Sequence, residues 1–162
     1  MKKLILVRHA KSSWEYDVKD HQRPLKDRGY IDANLVSNTM KSVGFIVDSV
    51  ISSDAVRTKT TAEIFISNLE IEENIVEFNY NLYDFAGTDL LKVITSCDDS
   101  INTLMIFGHN NALTAFVNTY GDTYIDNVPT SGMVAIEFDI DKWSKLKPGK
   151  TYKTIFPRDL KD

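Results

Sequence analysis

The sequence predicts an α/β fold, a mainly parallel sheet with helices on both faces. Three observations lead there. Apolar runs of strand length alternate, over most of the chain, with longer segments whose apolar residues recur every three or four positions. No internal repeat, low-complexity tract or Pro/Gly/Ser linker divides the 162 residues, so residues 1–162 read as one domain. The composition, 43% apolar and 26% charged, suits a folded chain of a length that buries roughly 70% of its unfolded surface.

The elements follow in order. Lys3 to Val7 is a short apolar run ending in polar residues, as a buried strand does. Beyond a polar loop containing Arg23-Pro24-Leu25, a helix is expected from Asp27 to Ser42, with Ile31, Leu35, Val36, Met40 and Val43 as its stripe and Gly44 as its stop. Asp48 to Ser52 reads as a strand, and Ser53 as the cap of a helix that buries Ala55, Thr58, Ala62, Phe65 and Leu69. Ile75 to Tyr80 forms a further short strand, and Thr88 caps a helix carrying Leu90, Val93, Ile94 and Cys97 inward. Thr103 to Phe107 is the next strand, and Gly108-His109-Asn110 leads into a helix bearing Leu113, Phe116, Val117 and Tyr120. Val134 to Ile140 and Thr151 to Phe156 close the chain as strands joined near the Pro148-Gly149 turn.

Composition narrows the function classes. A formal net charge of −4 and the lack of a basic block argue against nucleic acid as a partner. The opening apolar run stops at Arg8-His9, too short for a secretory h-region or a membrane span. Cys97 is the one cysteine, so no disulfide can form within the chain. A cytoplasmic protein is expected, with no membrane partner.

In open parallel sheets ligands gather at the carboxyl ends of the strands. Arg8 and His9 follow the first strand, His109 follows the strand ending at Phe107, and Arg57 lies in the first turn of the helix after Ser52. Two guanidinium groups and two imidazoles therefore share one sheet edge. Such a set repels itself when empty, and a phosphate group relieves it. Arginine recognises phosphate oxygens bidentately and stays charged. A histidine among cations loses its proton readily and keeps a ring nitrogen free to act as a nucleophile. His21, in a polar loop, reads as a residue without a role. Taken one at a time, His9 is an ordinary loop histidine and Arg57 an ordinary helix arginine; the convergence of four makes the case.

The sequence resembles the histidine phosphatase superfamily, specifically its SixA-like phosphohistidine phosphatase branch. The resemblance rests on Leu6-Val7-Arg8-His9-Ala10-Lys11-Ser12-Ser13-Trp14, Arg23-Pro24-Leu25 and Arg28-Gly29. It continues through Ser52-Ser53, Arg57, Thr61-Ala62, Leu82-Tyr83, Gly108-His109-Asn110, Pro129-Thr130-Ser131-Gly132 and Phe156-Pro157-Arg158-Asp159-Leu160. It implies a phosphoglycerate mutase-like three-layer α/β/α sandwich and a phosphohistidine intermediate on His9. It also implies phosphate binding by Arg8, Arg57 and His109, a substrate contact from Arg23, and no metal or organic cofactor.

Two departures bear on substrate. Glu15 stands where members acting on phosphosugars commonly have an Asn that helps bind phosphate, so its carboxylate is expected to turn outward or pair with an arginine. Those members also carry a glutamate as general acid; Asp84, the one acid in the loop Leu82-Tyr83-Asp84-Phe85, is the candidate for that role here, with a solvated loop aspartate as the alternative. General acid catalysis contributes 10²–10⁴-fold, on the order of 3–5 kcal/mol. A site without it favours labile P–N or aryl phosphates, hence a phosphohistidine on a protein. The alternatives are a phosphatase or mutase for small phosphate esters, and, in a different class, a phosphate-recognition module without turnover. A metal held by His9 and His109 is disfavoured by the two arginines and the lack of matching Cys or Asp ligands.

Overall fold

The computed structural model describes residues 1–161; Asp162, the last residue of the expected 1–162 unit, lies outside the described residues. Six strands are described: β1 (Lys2–Arg8), β2 (Ser49–Ser52), β3 (Val76–Phe78), β4 (Thr103–Gly108), β5 (Met133–Phe138) and β6 (Lys150–Ile155). The helices are α1 (Asp27–Val43), α2 (Val56–Asn68), α3 (Thr88–Thr95), α4 (Ala112–Tyr120) and α5 (Pro157–Leu160). The strands form one sheet in the order β3-β2-β4-β1-β5-β6. From β3 to β1 the pairings are parallel, while β5 runs antiparallel to β1 and β6 antiparallel to β5.

Strand periodicity explains the three layers. Successive side chains of a strand point to opposite faces, so an all-apolar strand needs cover on both. Leu4, Leu6, Leu104, Ile106, Val134 and Ile136 face a core built with Leu90 and Ile94 of α3 and Leu113, Phe116 and Val117 of α4. Their neighbours Ile5, Val7, Met105, Phe107, Met133 and Ala135 face a second core with Ala33, Val36 and Met40 of α1 and Ala62 and Phe65 of α2. The expected α/β/α sandwich around a mainly parallel sheet is the observed architecture. Among the described residues no helix is long and apolar enough to cross a membrane.

Several local expectations need correction. Ile31 and Val43, read as inward residues of α1, are 63% and 52% exposed. The buried face is instead Gly29, Asp32, Ala33, Val36, Ser37 and Met40. Small residues face inward at the start of α1 because the helix lies almost against the backbone of Lys11, whose carbonyl accepts the Lys26 N–H at 3.0 Å. Asp32 is tolerated there because Lys161 reaches it at 2.7 Å, with Arg28 3.5 Å away. Gly44 does end α1, in the left-handed conformation at φ 89°, with its N–H donating to Met40 and Lys41 carbonyls.

The two hydroxyl caps are also elsewhere. Helix α2 starts at Val56 behind Ala55, and the Ser53 hydroxyl is used inside the site described below. Gly87, at φ 111°, occupies the cap of α3 in place of Thr88. The final helix α5 is too short to leave a periodic signal.

A Cβ at Gly29 would overlap the Lys11 carbonyl oxygen and come within 3.1 Å of the Lys11 nitrogen. Gly29→Ala gains about 1 kcal/mol of helix propensity but forces backbone apart at a cost of about 1–3 kcal/mol. Urea unfolding is expected to show a lower midpoint with an unchanged slope. A raised midpoint would mean that α1 can move off Lys11 freely.

Candidate active site

Sheet order places the carboxyl ends of β1, β4 and β2 side by side, with β4 in the middle. Arg8 ends β1 opposite Gly108, the end of β4. His9 and His109 are the next residues on those neighbouring strands, and their ring centroids lie 5.2 Å apart. β2 ends beside Phe107, and the first turn of α2 then carries Arg57 to the same edge. Arg57, His9 and His109 are only 2%, 7% and 1% exposed. Buried polar clusters of this kind require an explanation that exposed ones do not.

The hydrogen bonds assign His9 its tautomer and hold His109 by one ring nitrogen. His9 Nδ1–H donates to the carbonyl of Ala10 at 2.8 Å, which leaves Nε2 with its lone pair. The same loop is tied to α2: Ala10 N–H donates to Thr61 Oγ1 at 2.9 Å, and the Thr61 hydroxyl donates to the Arg57 carbonyl. The Ser53 hydroxyl accepts the Ala55 N–H at 3.2 Å and lies 2.8 Å from His109 Nε2, with Thr58 Oγ1 at 3.2 Å. Nε2 of His109 is thus held by two hydroxyls, and its Nδ1 is the ring nitrogen left over.

That Nδ1 is buried with no partner in the protein, and so are Nε of Arg8 and Nε of Arg57. Leaving a buried donor unsatisfied costs roughly 1–3 kcal/mol each. Three such unpartnered nitrogens therefore belong to the residues gathered at this sheet edge, beside the neutral imidazole of His9.

The charges agree with this reading. Burial, helped by the positive charges of Arg57, Arg8 and Arg23, pulls the His9 pKa down to about 3 against the hydrogen bond to Ala10. Burial, then His9 and Arg57, brings His109 down to about 2. Burial and the neighbouring Arg57 also lower the Arg8 value from its ordinary range.

One residue was missed by sequence reasoning. Asp20, in a short turn at Asp20–Gln22, accepts Nη1 of Arg57 on its backbone oxygen at 2.7 Å and Nη2 on its carboxylate at 3.0 Å. The same carboxylate accepts Nε of Arg23 at 3.2 Å and the Tyr83 hydroxyl. Burial opposes its ionisation, but the bonds from Tyr83 and Arg57 prevail and bring it to about 2. Its one signal was its place three residues before Arg23. Ser131, in the Pro129–Gly132 string, is buried at φ 62° and donates its N–H to the carbonyls of Arg8 and His9 at 3.1 and 3.2 Å.

The remaining predicted residues divide. Arg23 is buried on Asp20, one carboxylate away from Arg57, and the Trp14 ring stacks on its guanidinium at 3.4 Å. The Asp84 carboxylate accepts N–H bonds from Ala86, Gly87 and Leu90 at 3.0–3.1 Å at the start of α3. Burial raises its pKa and those bonds lower it further, so it stays ionised. Glu15 is exposed, as expected for a carboxylate kept off a phosphate. His21 pairs with Asp54 at 2.8 Å, outside the four-residue cluster.

Both cluster histidines bind a proton ordinarily only in the unfolded chain, where the value is 6.5. The stability they provide is complete above that pH. It falls as the pH drops toward their folded values, because the unfolded state takes up protons that the native state refuses. Each costs about 1.4 kcal/mol per pH unit, so the pair costs about 3. Asp20 adds its own loss only below its unfolded value of 3.8. Urea unfolding between about pH 6.5 and 4.5 is expected to show this slope, halved in His109→Gln. An equal slope in the variant would mean that His109 is protonated in the native state.

Comparison with known proteins agrees with the geometry. Residues 4–103 match the model of the histidine phosphatase superfamily (branch 1). A chloroplastic protein of Arabidopsis thaliana is 35% identical over 119 residues, covering 67% of this chain and 54% of that one, so the match spans about half of the relative. The protein histidine phosphatase SixA, solved with tungstate, shares the fold at TM-score 0.80 and 18% identity, over 98% of this chain and 99% of that one. Phosphoglycerate mutase from Bacillus anthracis matches at TM-score 0.64 and 13% identity, over 88% of this chain and 94% of its own. With more than half of its length matched, the chain belongs to the histidine phosphatase superfamily.

Proposed function

We propose that this protein is a phosphatase that hydrolyses phosphohistidine on protein substrates, through a phosphoryl intermediate on His9 and without a metal. The observation that carries the reading is the gathering, at one sheet edge, of His9 with a free Nε2 and of Arg8, Arg57 and His109, each with a buried nitrogen that has no partner. In the first step Nε2 attacks phosphorus in line, and the P–N bond to the substrate imidazole breaks with its electron pair leaving on nitrogen. Arg8, Arg57 and His109 hold the equatorial oxygens, so charge is stabilised by groups already in place. In the second step a water oxygen attacks phosphorus of phospho-His9, the P–Nε2 bond breaks with its electron pair returning to His9, the water proton goes to solvent, and inorganic phosphate departs. Arg23 is assigned a contact to the bound substrate.

The leaving group follows from the acids. Asp84 is committed to backbone N–H groups, and Asp20 is held at about 2. Neither keeps a proton at neutral pH. An alkoxide leaving unprotonated forfeits about 3–5 kcal/mol of general acid help, which an imidazole needs far less. The fold likeness to SixA supports the same substrate. In this reading the chain works as one domain in the cytoplasm, on a phosphorylated protein and neither nucleic acid nor membrane.

The deciding experiment measures phosphate release from a histidine-phosphorylated carrier protein with excess chelator. Wild type is expected to release phosphate and to form an acid-labile phosphoenzyme; His9→Ala should do neither. Turnover by His9→Ala at the wild-type rate would sink the covalent mechanism, and release from sugar phosphates alone would move the assignment to small esters. Arg57→Lys, which keeps the charge but loses the planar fork, is expected to lower kcat/KM by about 10²-fold, the size of one lost preorganised donor.

A further inference from the structure

We propose that Tyr83 and Phe85, with Trp14 on the rim, form an aromatic cradle that selects a planar, ring-bearing leaving group. The proposal rests on the phosphohistidine reading and names the residues that would enforce it.

Tyr83 and Phe85 both lie against His109, at ring-centroid distances of 5.3 and 5.0 Å, and against each other at 5.2 Å. His109 in turn lies 5.2 Å from His9. The outer two rings are therefore one ring removed from the proposed nucleophile. Yet Phe85 is 45% exposed, and Tyr83 is only partly buried. If shielding His109 were their only task, deeper burial would serve it better. Tyr83 is further held in place by its hydroxyl on Asp20.

A second aromatic surface hangs from the same carboxylate. Asp20 holds Arg23, and Trp14 lies flat on that guanidinium while remaining 79% exposed. A large ring so open to water, yet fixed in orientation by stacking, presents a rigid apolar face. Isolated exposed aromatics need no explanation, but Tyr83 and Phe85 lie on His109, and Trp14 is joined to Tyr83 and Arg57 through Arg23 and Asp20.

The chemistry of the occupant follows. In-line attack by His9 places the leaving group beyond phosphorus, and in this proposal the partly exposed rings of Tyr83 and Phe85, one ring removed from His9, receive it. A phosphorylated imidazole is flat and, when protonated on its second nitrogen, cationic. Aromatic faces stack on the first property and attract the second. A sugar offers neither, and a simple amine offers no flat face to stack. The gain from one ring-on-ring contact corresponds to about a twofold to tenfold effect.

The test compares kcat/KM for N-phosphoimidazole and phosphoramidate, both cleaved at a P–N bond, one with a ring and one without. Their intrinsic reactivities differ, but that difference cancels when the ratio is compared between enzymes. Phe85→Ala and Trp14→Ala are each expected to lower the ratio about threefold to tenfold, with Phe85→Tyr restoring it. Phe85→Leu keeps bulk against His109 and carries the same test should the alanine variant fail to fold. Equal losses on both substrates, or a ratio within about twofold of wild type in both variants, would overturn the cradle. A wild type that releases phosphate from neither donor would overturn the proposed function and the cradle with it. An active wild type whose ratio does not move in the variants sinks the cradle alone.

Discussion

Positive charge gathered at the carboxyl ends of three adjacent strands is the constraint around which the rest of this molecule is arranged. Arg8, Arg57 and Arg23 all act on His9, and one carboxylate, that of Asp20, pairs directly with two of them, Arg57 and Arg23. Deprotonated imidazoles make the arrangement tolerable. Burial strips the proton from His9 and His109, so the cluster carries three guanidinium charges rather than five cations. The sheet supplies the stiffness. Six register pairs between β1 and β4 fix where His9 and His109 emerge, and Thr61 of α2 ties the loop after β1 to the backbone of Arg57.

In the proposed reading the same arithmetic lets a nucleophile and a phosphate clamp coexist. A charged histidine could not attack, and a lone guanidinium would hold phosphate without activating anything. Burial, with Arg57, Arg8 and Arg23, lowers the His9 pKa, and two of those arginines, Arg8 and Arg57, keep an unpartnered Nε.

Much of this was legible in the chain. The strands at Lys3 to Val7 and Thr103 to Phe107, and the polar residues after them, follow from apolar runs that stop abruptly. Because parallel sheets place ligands at strand ends, Arg8, His9, Arg57 and His109 could be brought together before any coordinates. Asp20 could not: it reaches Arg57 across 37 positions of sequence, through a loop with no periodicity. Nor could the hydroxyl of Ser53, whose place before a helix suggested a cap. The apolar stripe of α1 misled for a related reason. Close backbone approach at Lys11 calls for Gly29 and Ala33, and a reading by hydrophobicity favours larger side chains.

The lone carboxylate of Asp20 has a kinetic corollary. The mouth is a local cationic spot on a chain whose formal net charge is −4. A small phosphate dianion is drawn in by the near field, while an acidic protein carrying a phosphohistidine feels repulsion from the body as a whole. At physiological ionic strength fields fade over about 8 Å, so the near attraction persists where the distant repulsion is damped. Added salt therefore acts in opposite directions on the two kinds of encounter, slowing capture of free oxyanions while easing the approach of an acidic partner.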